Sequence, residues 1–112
     1  MILENQLYSL LGDIASTYPN VAPEKADIPR ITFQLIAGGD TPDYAGRGGG
    51  ARYVRIQIDT WAATYLEARA LSERARTAVY AGLRVGEVSD NPSDFELDTR
   101  LHRASFDVRL WA

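Results

Sequence analysis

Apolar residues at Leu3, Leu7, Leu10, Leu11 and Ile14 recur at spacings of four, three, one and three, the stripe of an amphipathic helix over residues 2–16. Tyr18-Pro19-Asn20 ends it, because a proline ring pushes the residue before it out of the helical region and brings no amide hydrogen. Pro19, Pro23 and Pro29 then predict an extended arm rather than a helix or a central strand. Residues 30–37 alternate, with Ile31, Phe33, Leu35 and Ala37 on one face and Thr32, Gln34 and Ile36 on the other. That is a half-buried strand, ended by Gly38-Gly39-Asp40. The stretch to Gly50, including Gly46-Arg47-Gly48-Gly49-Gly50, has too little apolar content to pack and reads as a long mobile loop.

Alternation returns over residues 51–61, with Val54, Ile56 and Ile58 inward and Tyr53, Arg55, Gln57, Asp59 and Trp61 outward, which predicts a hairpin with the preceding strand. Thr64-Tyr65-Leu66-Glu67 is a capping-box pattern that starts a second helix. Its buried stripe is Ala68, Leu71, Ala75, Ala78 and Val79, and Gly82 supplies a left-handed cap. Residues 83–88 read as a short strand, residues 89–94 as a turn around Asn91-Pro92, and residues 95–97 as the start or flank of another strand. Over residues 101–111, His102, Ala104, Phe106, Val108 and Leu110 oppose Arg103, Ser105, Asp107, Arg109 and Trp111.

The expected fold is α+β, an antiparallel sheet of about four strands with two helices packed on one face, in the order α-β-β-α-β-β. The other face then has no cover. It would carry Thr32, Gln34, Tyr53, Arg55, Gln57, Asp59, Arg103, Asp107 and Arg109, with Trp61 and Trp111 toward strand ends.

Length and charge narrow the function classes. A chain of 112 residues fits one domain spanning 1–112, since two cores would leave each half too little surface to bury. A formal net charge of −3 gives no global positive field to draw it onto phosphates. The absence of cysteine excludes disulfides, thiolate chemistry and cysteine-rich zinc sites. The start Met1-Ile2-Leu3-Glu4-Asn5 has no basic head, and no run approaches the roughly 20 apolar residues of a membrane span, so a protein made and used in a cytoplasm is expected.

Candidate chemistry is sparse. His102 is the single histidine and sits in the alternation on the apolar side, which reads as packing. Asp90, Asp94, Glu96 and Asp98 lack the regular ligand positions of a calcium loop and read as a solvated acidic turn. The glycine run is followed by a strand, whereas a phosphate cradle needs a helix after it. No catalytic residue, cofactor or metal site is expected, and the chain is read as no enzyme. Arg52, Arg55, Arg103 and Arg109 interleaved with Tyr53, Trp61 and Trp111 could stack and hold RNA. The same residue types are enriched at protein interfaces, and Asp59 and Asp107 share the face, which favours a protein partner. The candidate interface is Tyr53, Arg55, Asp59, Trp61, Arg103, Asp107, Arg109 and Trp111, with Gly39, Arg47 and Gly49 in a flexible contact loop.

The order of these pieces resembles the tail-completion family of long-tailed bacteriophages, which includes the tail-to-head joining protein. The resemblance lies in Tyr18-Pro19 with Ala22-Pro23, Ile28-Pro29-Arg30-Ile31-Thr32-Phe33, and Val54-Arg55-Ile56-Gln57-Ile58-Asp59-Thr60-Trp61-Ala62. It continues in Tyr65 with Glu67-Ala68 and Leu71, and in Leu101-His102-Arg103-Ala104-Ser105-Phe106-Asp107-Val108-Arg109-Leu110-Trp111. It implies a structural virion protein at the head–tail junction, present in the host cytoplasm during assembly. Such a protein closes the head-proximal end of the tail tube as a ring, a hexamer, and gives the capsid connector a docking surface. The implied partners are copies of itself, the tail tube protein and the head–tail connector protein, with no membrane and no specific nucleic acid, though DNA passes through the ring. A ring needs two unlike patches per subunit, for which the bare face and the proline arm are candidates. A small RNA-binding α+β module and a neck or minor tail protein of related fold are the alternative readings.

Overall fold

A computed structural model describes residues 2–23, 25–40 and 52–111. The elements run α1 (Ile2–Gly12), β1 (Ser16–Pro19), β2 (Arg30–Asp40), β3 (Arg52–Ala62), α2 (Tyr65–Gly82), β4 (Val85–Glu96) and β5 (Leu101–Trp111). The strands make one sheet in the spatial order β1-β2-β3-β5-β4, antiparallel throughout except that β1 runs parallel to β2. The α+β class and the two helices are as the hydrophobic pattern requires, and β1 is a fifth strand that it did not.

Alternation in β3 and β5 divides the sheet. Ile58 faces Phe106, Ile56 faces Val108 and Val54 faces Leu110, all buried and all turned toward the helices. Leu3, Leu7 and Leu11 of α1 and Leu71, Ala75 and Val79 of α2 close over this row and complete the core. Each fully buried side chain of this size contributes roughly 1.5–3 kcal/mol, which is why both helices sit on the same side. Thr60, also on that side, ties three elements together: its Oγ1 donates to the carbonyls of Ala68 (2.9 Å) and Ala104 (3.2 Å).

Several local expectations are corrected. The first helix stops at Gly12 rather than residue 16, and Ser16–Pro19 pairs with β2 from Arg30 to Phe33. Pro19 thus closes an edge strand, a place where its missing N–H costs nothing. β2 runs on through Gly38 and Gly39, so Gly39 belongs to a strand opposite Tyr53 and not to a loop. A bulge between Leu35 and Ala37 turns Ala37 to the side of Arg55, away from Ile31 and Phe33.

Thr64 caps α2 by accepting a hydrogen bond from the Glu67 amide, as the sequence pattern requires. Gly82 makes no left-handed cap, because the helix ends through it onto an extended Leu83. Its role is close approach, since a Cβ there would stand 2.7 Å from Leu10 Cδ1. β4 is continuous through Asn91-Pro92, where the sequence suggested a turn; shifts of register at Val85/Glu87 and Asn91/Asp94 absorb the misfit. The turn lies later, at residues 97–100, with Arg100 at φ 58°.

Candidate functional site

The side of the sheet away from the helices is built mainly by β3 and β5. Their register sets Tyr53 against Trp111, Arg55 against Arg109, Gln57 against Asp107, Asp59 against Ser105 and Trp61 against Arg103. All eight candidate interface residues therefore share one surface, in five neighbouring rows. Period-two alternation alone produces this once the two strands are adjacent and in this register. Arg47 and Gly49 lie outside the described residues.

One end of the face is aromatic and basic. The Tyr53 and Trp111 rings meet edge to face with centroids 5.7 Å apart, and the Arg109 guanidinium lies 4.9 Å from the Tyr53 centroid. Two glycines make room for these rings. A Cβ at Gly86 would fall 2.4 Å from Trp111 Nε1, and one at Gly39 would fall 3.0 Å from the Tyr53 hydroxyl. No sequence motif marked either glycine for this role, because each partner lies on another strand.

The middle and far end are more polar and partly enclosed. Gln57 Nε2 donates to both carboxylate oxygens of Asp59 at 3.1 Å, and Trp61 Nε1 donates to Thr32 Oγ1 at 3.0 Å. Asn91 Nδ2 donates to Asp107 Oδ1 (2.9 Å) and Ser105 Oγ (3.0 Å), while Arg103 reaches Asp94 at 3.9 Å. The proline arm does not stand apart from this surface. Asn20, Val21, Ala22 and Pro23 wall a cleft whose floor is Thr32, Asp59 and Trp61, and Thr32 and Asp59 are buried. The two patches proposed for a ring are thus one continuous surface at this end.

The remaining candidates resolve into structure. His102 packs on Phe95 with ring centroids 4.8 Å apart. Asp90 pairs with Arg76, whose guanidinium lies 5.0 Å from the Phe106 centroid, and Glu96 accepts a hydrogen bond from Thr99. Among the described residues no group of three or more His, Asp or Glu side chains is placed to hold a metal ion. No helix among them is long and apolar enough to cross a membrane.

Comparison with known proteins places this architecture. The family model for tail completion protein gp17 matches residues 4–112, and the chain belongs to that family. It is therefore a structural protein of the bacteriophage tail, a component of the virion. The solved structure of the bacteriophage SPP1 gp17 protein is similar to it at a TM-score of 0.60 and 13% sequence identity, over 98% of this chain and 88% of that one. A chain from the virion of a native gene transfer agent particle aligns at 16% identity and a TM-score of 0.49, over 98% of this chain and 92% of that one.

Proposed function

We propose that this protein closes the head-proximal end of the finished tail tube as a ring of identical subunits, a hexamer, and gives the head–tail connector its docking surface. The observation that carries this reading is the end of the sheet face that neither the helices nor the arm covers. Its Tyr53, Arg55, Arg109 and Trp111 are the residue types that anchor protein interfaces, held in place by strands rather than loops. Family membership supplies the tail, and this face supplies the means of contact.

A second feature supports an assembly role. The end of the layer where the arm, the start of α2 and the β4–β5 turn lie exposes Val21, Ile28, Leu66 and Leu97. Large apolar side chains grouped at one end of a subunit suit contact with another polypeptide. The acidic balance, net −3, suits a lumen through which DNA passes without being held.

Light scattering at rising protein concentration, with and without purified tail tubes, tests the proposal. The expected result is a closed oligomer of defined mass that forms on, or is stabilised by, tube ends. A protein that stays monomeric and leaves tube ends uncapped overturns it. If the same face served nucleic acid instead, a gel shift weakening steeply with salt would appear with RNA.

A further inference from the structure

The two edges of the sheet are each half blocked, and the blocks lie at the same height. On one edge β1 covers β2 only from Arg30 to Phe33, so β2 has no strand beyond it from Gln34 onward among the described residues. On the other edge β4 is outermost; its half level with β1 contains Pro92, which lacks an amide hydrogen, whereas Glu87 to Asn91 keeps unbroken register with β5. Following the registers across the sheet, Gln34 is level with Gln57, Asp107 and Ser89, and Leu35 is level with Ile56, Val108 and Val88. The open stretch of β2 and the open stretch of β4 therefore stand at one height on opposite edges.

From this geometry we infer that the open stretch of β4 in one copy pairs with the open stretch of β2 in the next, so that the sheets continue from subunit to subunit. The inference rests on the ring proposed above and names the contact that closes it.

Three further observations fit this occupant. β4 runs opposite to β2, so the new pair is antiparallel like nearly every other in the sheet. The apolar row at the height of Leu35 is fully buried at Ile56 and Val108 but 49% exposed at Leu35 and half-buried at Val88. A neighbouring copy set edge to edge brings Leu35 beside Val88 and covers both ends. Finally, rotation about an axis along the strands moves each residue to its neighbour's place without changing height, which is the condition these registers meet. The two edges are unlike surfaces, as a closed head-to-tail ring requires.

The chain has no cysteine, which makes the test direct. Gln34→Cys and Ser89→Cys replace exposed residues that face each other across the contact. Treated with a short bismaleimide under conditions where light scattering finds oligomers, the double variant should give a ladder of covalent multimers on a denaturing gel. A mixture of the two single variants should give dimers, and each single variant alone should stay monomeric. Oligomers that give no 34-to-89 link overturn the edge pairing and leave the ring standing. Dimers from Gln34→Cys alone overturn it in favour of a two-fold β2–β2 contact. Scattering that never departs from the monomer removes the ring itself, and the edge pairing with it.

Discussion

Arg55 and Arg109 stand directly opposite each other on β3 and β5, two like charges in a facing pair on the uncovered side of the sheet. Neither makes an ion pair among the described residues, and Arg109 instead lies over the Tyr53 ring. Facing like charges destabilise a sheet; Arg109 has Glu87 opposite it on its other side, whereas Arg55 faces Ala37, so an acidic partner surface would relieve the cost chiefly at Arg55.

Arg109→Glu separates folding from docking. Arg109 faces Arg55 on β3 and Glu87 on β4, so a glutamate there exchanges one facing like pair for another, each worth about 0.2–1 kcal/mol, and the ring contact with Tyr53 is lost. Thermal unfolding of the subunit should therefore stay near that of the parent or fall slightly. Co-sedimentation with tail tubes or connector should fall at least tenfold. A fall in both together would mean that the face is structural.

Gly86→Ala tests whether the aromatic end depends on a close approach. Its Cβ would fall 2.4 Å from Trp111 Nε1, part of a rigid ring that must move. The expected cost is about 1–3 kcal/mol, with a changed Trp111 emission measured in a Trp61→Phe background. Gly12→Ala, where a Cβ meets nothing within 4 Å, should leave the emission unchanged.

Thr60→Val keeps the shape of a fully buried side chain and removes its hydroxyl. The lost hydrogen bonds to Ala68 and Ala104 link α2 to both central strands. Denaturant unfolding should show a loss of about 1–2 kcal/mol, with no change in tube binding once folding is restored at lower temperature.

Thr64→Ala removes the N-cap of α2 and leaves the Glu67 amide without its side-chain acceptor. The expected loss is about 1 kcal/mol, seen in chemical denaturation. Thr64→Ser should recover most of it, because the hydroxyl is what accepts the bond.

Much of this was legible in the chain because period-two alternation is a local property. Val54, Ile56 and Ile58 had to face one way and Tyr53, Arg55, Gln57 and Asp59 the other, whatever lay beside them. The capping oxygen of Thr64 acts within three residues, and it too was readable. Residues 89–94 read as a turn because Asn91-Pro92 is turn chemistry locally; only pairing with β5 holds β4 through it. β1 was hidden for the same reason, since four residues ending in proline make a strand only against Arg30 to Phe33 of β2.

Sequence alone therefore determined which side chains share a face, where α2 begins, and that a charged and aromatic surface lies opposite an apolar one. Tertiary structure decided the order of strands across the sheet, the folding of the arm against Asp59 and Trp61, and the glycines that seat Tyr53 and Trp111. The division follows from range: backbone geometry fixes direction within a strand, whereas register and neighbour depend on groups brought together from distant parts of the chain.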